Sequence, residues 1–268
     1  MAFPLIFRRH ARRLLARLGI LRPVPSRDHG NQIGLGDFEA VGEEFLRYFV
    51  EFAGLTPHDR VLDVGCGLGR MAVPLTRYLS RKGRYHGFDI VAEHIDWCQS
   101  RITPRFPHFR FLHADVFNTS YNPAGRYLPR EYSFPYPDGA FDLAVLTSVF
   151  THMLPADVGH YLAEIARVLK PGGRCLATFF LLNAEARELI ASGRGQMAFA
   201  YPADGYRTVN PDRPEDAVAF EEQSVREMFR RGGLEVREPV RYGSWCGRGT
   251  FVSFQDIVIG VKPPAAAG

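Results

Sequence analysis

Cysteine is scarce in this sequence, and its spacing excludes two common roles for it. The chain has 4 cysteines among 268 residues, no two of them form a C-x-x-C pair, and none joins histidines at zinc-site spacing. Cysteines this far apart are typical of free thiols in a reducing compartment. We therefore expect neither a disulfide framework nor a metal site.

Long apolar runs are also absent from the sequence, which argues against a transmembrane helix and a secretory signal. No run of about 18 apolar residues occurs, so the sequence predicts no transmembrane helix. Arginines interrupt every candidate apolar core within residues 1–22, which disfavours a secretory signal. The default expectation is a cytoplasmic protein.

The remaining composition is that of a globular domain with a basic appendage. Apolar residues make up 46% and charged residues 23% of the chain, ordinary values for a sequence that builds a core. Residues 1–35 are predicted to form a basic amphipathic helix and a linker, residues 36–262 the domain, and residues 263–268 a frayed tail. The helix, over residues 3–19, either contacts an anionic membrane surface or packs on its own domain with its arginines in solvent.

A glycine-rich stretch at 61–70 is the feature around which the chain is organised. An apolar segment containing Asp63 is followed by Gly65, Gly67 and Gly69 at every second position, and then by a helical pattern. This order predicts a buried strand, a tight turn, and a helix whose free N–H groups face the turn. Such a turn allows the close approach of a carboxylate or a phosphate. A glycine-rich turn without a ligand is the alternative.

From residue 60 onward, strand and helix patterns alternate, which is typical of a parallel sheet flanked by helices. A helix with an aromatic face is predicted to precede them, with Asp37 as its N-cap. The first predicted strand ends at residue 63, and the other predicted strands span 84–89, 109–114, 141–146, 174–181, 234–241 and 251–261. The predicted helices span 70–81, 92–102, 155–169 and 222–231.

Further markers follow the glycine turn in a fixed order. Asp89 ends the second predicted strand, His-Ala-Asp-Val at 113–116 ends the third, and Lys-Pro-Gly-Gly at 170–173 precedes the fifth. With the G-x-G-x-G turn, these markers resemble the class I S-adenosylmethionine-dependent methyltransferases. The resemblance covers about residues 36–262. It implies an α/β, Rossmann-like, seven-stranded and mostly parallel sheet flanked by helices, with an antiparallel C-terminal hairpin strand.

The resemblance also implies how S-adenosylmethionine is held as the cofactor. Asp63 would steady its amino-acid part, and the carboxylate of Asp89 would accept both ribose hydroxyls. Asp115 would receive the adenine amino group, and the amide of Val116 would meet the ring. The helix after Asp37 would cover the cofactor. The residues implied to contact the cofactor are Asp63, Gly65, Gly67, Gly69, Asp89, Ile90, Asp115, Val116, Thr147 and Ser148.

Two long connections are expected to cap the carboxyl edge of this sheet, where ligands of open parallel sheets bind. We call residues 118–138 the first insertion and residues 183–221 the second insertion. Their aromatic content, like that of the loop at 242–249, argues against disorder. About half of these aromatic residues are expected only to pack the insertions on the sheet. The residues predicted to line an acceptor cavity are Tyr121, His152, Phe180, Tyr242 and Trp245.

The predicted reaction is methyl transfer to a hydroxyl of a small or mid-sized acceptor, such as a sugar, a glycolipid or a polyketide. By the resemblance, Thr147 and Ser148 would line the sulfonium. His152 follows the same strand and has a pKa suited to a general base, although a histidine here can also merely orient the loop. The Asp and Asn ligand set of metal-dependent catechol-type enzymes is not recognisable after the fifth strand.

Two other function classes fit parts of the sequence. An NAD-dependent dehydrogenase would use the same βα turn and Asp89, and a cofactor-binding regulatory protein would keep the fold without chemistry. Nucleic acid is not expected as a partner, because the arginines cluster on one helix and the insertions are not basic. The Asn-Pro-Pro-Tyr type of motif used by base-directed enzymes is also absent from the sequence.

Overall fold

The computed structural model of the protein describes residues 24–25 and 36–264. Helices and strands alternate along this part of the chain, as the sequence predicts. The helices are α1 (Phe38–Glu51), α2 (Ala72–Tyr78), α3 (Ala92–Arg101), α4 (Pro155–Val168), α5 (Ala184–Ala191) and α6 (Glu222–Arg231). The strands are β1 (Arg60–Val64), β2 (Arg84–Asp89), β3 (Phe109–His113), β4 (Phe141–Leu146), β5 (Leu169–Phe179), β6 (Leu181–Leu182), β7 (Tyr201–Ala203), β8 (Tyr206–Thr208), β9 (Val218–Glu221), β10 (Glu235–Arg241) and β11 (Asp256–Val261).

The main sheet has seven strands in the order β10-β11-β5-β4-β1-β2-β3. The five strands from β5 to β3 are parallel, whereas β11 runs antiparallel to both β5 and β10. The predicted Rossmann-like sheet with an antiparallel C-terminal pair is therefore confirmed. Because β1 lies between β2 and β4, the chain crosses in opposite directions on its two sides, and open parallel sheets bind ligands at such a point.

Both faces of the sheet are buried. Leu62 and Val64 belong to a buried cluster that includes α4 and α6, whereas Val61 belongs to a second cluster with α1, α2 and α3. Successive side chains on a strand point to opposite faces, so a nearly continuous apolar run such as β1 satisfies both clusters. Asp63 shares the face of Val61 and is fully buried among apolar side chains.

The helix α1 begins where the sequence predicts. Asp37 Oδ1 accepts the N–H of Ala40 at 2.9 Å, which satisfies one of the free donors at the helix start. Phe38, Phe45 and Phe49 lie on the buried face of the helix. This face packs α1 against α2 and the glycine turn, so it covers the carboxyl edge of the sheet.

The second insertion contains more secondary structure than the sequence predicts for it. It contains α5, the hairpin β7-β8 and the strand β9, and β6 joins them in a four-stranded sheet of order β6-β9-β8-β7. A separate buried cluster lies beneath this sheet and includes Phe180, Phe199 and Trp245. The second insertion therefore has a small core of its own.

Three predicted boundaries differ from the structure. The helix α2 ends at Tyr78, because the chain turns away and the Ser80 N–H donates to the carbonyl of Pro57. The Lys-Pro-Gly-Gly turn at 170–173 is an irregularity inside β5, where the register against β4 shifts. The last strand begins at Asp256 instead of 251, since residues 252–254 hydrogen-bond to the loop after β10.

Several predictions fall on residues for which no structure is described. The basic helix over 3–19, most of the linker and residues 265–268 lie outside the described part of the chain. Within residues 24–25 and 36–264, no helix has the length and apolar character needed to cross a membrane.

Candidate functional site

A cavity of about 240 Å³ opens at the carboxyl edge of the sheet, beside β1 and β4. Its walls come from the glycine turn, from the segments that follow β2, β3 and β4, and from Val41 and Phe45 of α1. The predicted site residues that line it are Gly65, Gly67, Asp89, Ile90, Val116, Tyr121, Thr147, Ser148 and His152. The predicted site residues that do not line it are Asp63, Gly69, Asp115, Phe180, Tyr242 and Trp245.

The glycine turn needs its glycines for two different reasons. Gly65 and Gly67 line the cavity with φ of +74° and +50°, in the left-handed region that favours glycine. A Cβ on Gly65 would lie 2.4 Å from Cγ2 of Val149, so the turn closes tightly against the segment after β4. A Cβ on Gly69 would lie 2.7 Å from Cδ1 of Ile102, so this residue allows packing of the turn on α3 and does not contact the cavity.

Asp89 presents its carboxylate to the cavity from the end of β2. Its Oδ2 accepts the N–H of Gly67 at 2.7 Å, and its Oδ1 accepts the N–H of Val91 at 2.9 Å. Burial raises the pKa of this carboxyl, while the two N–H groups act in the opposite direction. Each carboxylate oxygen has two lone-pair directions, so each can still accept one hydroxyl from a ligand.

Asp63 lies behind the turn and does not line the cavity, and its role toward the amino-acid part of the cofactor stays a prediction. Its side chain is on the α1 face of β1, where Oδ2 accepts the hydroxyl of Tyr85 at 2.5 Å. Its Oδ1 is buried and has no hydrogen-bond partner among the described residues. Burial raises the pKa of Asp63 to about 7. The side-chain bond of Asp63 thus joins β1 to β2.

The structure also changes the expectation for Asp115 and Val116. The carbonyl of Asp115 accepts the N–H groups of Arg126 and Tyr127, so this residue closes the first insertion and does not line the cavity. Val116 does line the cavity, but its N–H donates to the carbonyl of Ala114 at 2.8 Å. The adenine contacts implied by the resemblance stay predictions.

Thr147 and Ser148 form the cavity wall that follows β4. Ser148 has a φ of +61°, which is uncommon for a residue with a side chain and costs conformational energy. Its N–H donates to Oγ1 of Thr178 at 2.8 Å, and its hydroxyl donates to Oε1 of Gln255 at 3.0 Å. These two bonds hold a strained backbone at the point where the cavity meets β5.

His152 lies on a short 3₁₀ turn (Phe150–His152) and lines the cavity. Its Nδ1 is 3.0 Å from the carbonyl of Glu215, and the ring of Tyr121 meets it edge to face at 5.7 Å. Burial lowers the pKa of His152, although the backbone at Glu215 and Asp216 and their charges oppose the shift. The ring is therefore neutral at pH 7.

Three residues predicted to line the cavity for the methyl acceptor lie outside that cavity. Phe180 and Trp245 are buried against each other, with ring centroids 5.2 Å apart, in the core of the second insertion. The indole N–H of a buried tryptophan needs an acceptor, and Oδ2 of Asp256 supplies one at 2.7 Å. Tyr242 donates its hydroxyl to the Glu222 carboxylate at 3.0 Å and does not line the cavity.

Four polar residues of the cavity were not predicted from the sequence. They are Arg70, His94, Asn118 and Tyr161. A cation directly after the glycine turn is a signal by which Arg70 could have been found. The other three enter the cavity through tertiary packing, which no local pattern records.

This set of groups fits S-adenosylmethionine. The two spare acceptor sites of Asp89 match a ribose diol, and the positive-φ glycines leave the turn without Cβ atoms where a ligand approaches. Ile90, Val116 and Val149 give apolar walls for an adenine ring. The cation of Arg70 lies where the turn opens into α2, a position that favours a carboxylate.

Comparison with known proteins finds similarity to methyltransferases. A family model described as a methyltransferase domain matches residues 62–177. The chain is 23% identical over 205 residues to the tRNA N(3)-cytidine methyltransferase of Gallus gallus, covering 74% of this chain and 48% of that protein. It is 27% identical over 207 residues to the 27-O-demethylrifamycin SV methyltransferase of Amycolatopsis mediterranei, covering 70% of this chain and 69% of that protein.

The fold is also found in solved structures. The 1,6-didemethyltoxoflavin-N1-methyltransferase of Burkholderia thailandensis, solved with S-adenosylhomocysteine, superposes with a TM-score of 0.53 at 18% identity. The superposition covers 84% of this chain and 79% of that structure. Against several curated relatives the chain spans only about half of the relative's length, as the 48% coverage of the tRNA enzyme illustrates.

Proposed function

We propose that this chain, whose residues 62–177 match a methyltransferase domain, is a class I S-adenosylmethionine-dependent methyltransferase that methylates a hydroxyl of a small or mid-sized acceptor. A sugar, a glycolipid or a polyketide would suit the cavity. The observation that carries this proposal is the presence of the glycine turn, Asp89 and a neutral His152 in the walls of one cavity. Groups that would hold the cofactor and a group that would accept a proton thus line the same cavity.

The reaction assigns a different task to each part of the cavity. S-Adenosylmethionine supplies an electrophilic methyl group when it is bound. Asp89 and the glycine turn would fix its position, and the apolar walls would exclude water. His152 would take the proton of the acceptor hydroxyl, which must lie within about 3 Å of its free nitrogen or be bridged by one water.

The named relatives bear on the acceptor in two ways. One of them is named for O-methylation of a rifamycin, which supports a hydroxyl on a polyketide-like molecule. Another is named for a cytidine of tRNA, so the expectation that nucleic acid is excluded is not supported. We therefore keep tRNA among the acceptors to be tested.

A radiolabel assay tests the proposed function. The full-length protein is incubated with S-adenosyl-[methyl-³H]methionine and, separately, with sugars, glycolipids, polyketide alcohols, fatty acids and bulk tRNA. Label in an ether methyl group supports O-methylation, whereas label in tRNA or in an amine replaces the proposed acceptor class. Cofactor binding without any transfer would favour the non-catalytic alternative, and affinity for NAD without affinity for S-adenosylmethionine would favour the dehydrogenase.

Asp89→Ala should weaken cofactor binding by roughly 1.5–3 kcal/mol, because a charged acceptor to the ribose is lost. The substitution also removes the acceptor for the N–H groups of Gly67 and Val91, which loosens the turn. Isothermal titration with S-adenosylmethionine measures the change. Asp96→Ala is a matched control, since Asp96 is an exposed carboxylate on α3. Equal affinity in the Asp89 variant and the parent would remove Asp89 from the site.

We further propose that this is a cytoplasmic protein whose residues 3–19 make peripheral contact with anionic membranes. The alternation of arginines and apolar residues at helical spacing supports the contact. The full chain should float with vesicles containing phosphatidylserine and not with pure phosphatidylcholine. Deletion of residues 1–22 should abolish flotation and preserve cofactor affinity. Failure of the full chain to float on anionic vesicles would refute the contact.

A further inference from the structure

The two insertions meet on His152. In the second insertion, the carbonyl of Glu215 is 3.0 Å from Nδ1 of His152. In the first insertion, the hydroxyl of Thr119 donates to Oε2 of the same Glu215 at 2.7 Å, and its N–H approaches that oxygen at 3.3 Å. A residue from each insertion thus takes part in a chain of contacts that ends on one imidazole ring.

The position of this carbonyl is fixed by further bonds. Thr208 Oγ1 donates to the carbonyl of Pro214 at 2.8 Å, and the hydroxyl of Ser120 donates to Oδ1 of Asp216 at 3.1 Å. The amide of Asn210 donates to Oδ2 of Asp216 at 2.8 Å. The 3₁₀ turn at Pro214–Asp216 is therefore held on both sides of Glu215, whose own side chain is buried.

The contact with a carbonyl decides which nitrogen of His152 carries the proton. A carbonyl oxygen can only accept, so Nδ1 must be protonated, and in the neutral ring Nε2 then has the free lone pair. The backbone at Asp216 also acts on the ring, in the same sense as the carbonyl of Glu215. The ring lines the cavity, and Nε2 is its nitrogen that can accept a proton while Nδ1 is bonded to the Glu215 carbonyl.

We infer that Thr119 and Glu215 are positioning residues that fix the tautomer of His152, so that Nε2 is the proton acceptor in the cavity. This inference rests on the proposed function, in which His152 acts as a base. The bond between the two insertions thereby links their packing to the tautomer of His152. Neither residue contacts a reacting atom, and their effect passes entirely through the ring.

The charges around the ring agree with this role. The carboxylates of Glu215 and Asp216 approach it from the second insertion, and the phenol of Tyr121 approaches it from the first. Burial lowers the pKa of His152 and the two carboxylates raise it, so the ring stays neutral at pH 7 while its Nδ1–H remains bonded.

Ring ¹⁵N spectroscopy of the full-length protein tests the inference without any acceptor. Long-range ¹H–¹⁵N spectra distinguish protonated from unprotonated ring nitrogens, and His152→Ala identifies the signals of this residue. The parent should show protonated Nδ1 and unprotonated Nε2. Thr119→Val, which removes the hydroxyl at constant shape, should give a mixture of the two tautomers, and Thr119→Ser should restore the parent spectrum. Glu215→Ala removes the other half of the same bond and should reproduce the effect of Thr119→Val.

Two results would overturn the inference. One is a parent spectrum with protonated Nε2 at neutral pH, and the other is a Thr119→Val spectrum identical to that of the parent. With an acceptor identified, Thr119→Val should lower kcat roughly tenfold at unchanged KM for the cofactor, the loss expected for one hydrogen bond. If the tautomer is fixed but His152→Ala retains full turnover, the proposed base fails and the positioning stands. If Thr119→Val leaves the tautomer unchanged and His152→Ala loses turnover, the positioning role fails and the proposed function stands.

Discussion

Replacing His152 with alanine should lower turnover by roughly 10²–10⁴-fold, the usual contribution of a general base. The ring lines the cavity and is neutral at pH 7, because its burial lowers its pKa. Asp89 and the glycine turn, which we propose hold the cofactor, make no hydrogen bond to His152 among the bonds of the described residues. Cofactor affinity measured by titration should therefore be the same in the variant and the parent, so that the loss falls on kcat.

The pH dependence of the parent gives a second measurement of the same group. A histidine whose pKa lies below the ordinary value of about 6.5 is still unprotonated at that pH. The rate should therefore stay on its plateau as pH falls to about 6.5 and decline only at lower pH, where the ring gains a proton. The declining acidic limb should be absent from the residual rate of the alanine variant.

A matched histidine controls for general effects of the substitution. His58 is exposed, its Nδ1 contacts Oγ of Ser80, and it lies at the amino end of the strands, away from the cavity. His58→Ala should keep both the rate and its pH profile. If His152→Ala also keeps its rate, alignment alone drives transfer, and a more nucleophilic acceptor such as an amine or a carbanion takes the place of the hydroxyl.

The sheet and the glycine turn could be predicted because their causes are local. A fully buried parallel strand such as β1 needs an apolar run, and a turn with positive φ at Gly65 and Gly67 needs glycine, so both requirements are visible in the sequence. The start of α1 was equally local, since Asp37 caps it three residues away. Each of these elements is decided by neighbours along the chain.

The acceptor side could not be predicted because its causes are distant. Thr119 and Glu215 are 96 residues apart, and no periodic pattern connects them. The aromatic residues Phe180 and Trp245 were assigned to the cavity because they follow strands at the carboxyl edge. Composition does not distinguish an aromatic residue that meets a ligand from one that fills the core of an insertion, and the structure places both in that core.

Asp256, the first residue of β11, forms hydrogen bonds that connect this second core to the sheet. The carboxylate is fully buried and receives four donors from the chain around it. The N–H of Leu181 and the indole N–H of Trp245 donate to Oδ2 at 2.7 Å each. The N–H of Gly243 donates to Oδ1 at 2.7 Å, and Arg248 approaches the same oxygen at 3.3 Å.

Asp256→Ala should therefore lower the free energy of unfolding by about 3–5 kcal/mol, because it leaves three buried N–H donors without their acceptor. It also removes one partner of the buried Arg248, which keeps its bonds to Glu185 and Asn183. Asp256→Asn should also destabilise, since both oxygens accept two donors and an amide would turn its own NH₂ toward one pair. Urea denaturation at pH 7 measures the change, because the carboxyl, with a pKa raised by burial to about 6, is largely ionised there.

Asp138→Ala is the control: this carboxylate pairs with Arg167 but is 80% exposed, so its loss should cost less than about 1 kcal/mol. A similarly small change for Asp256→Ala would mean that apolar packing, and not this carboxylate, joins the second insertion to the sheet.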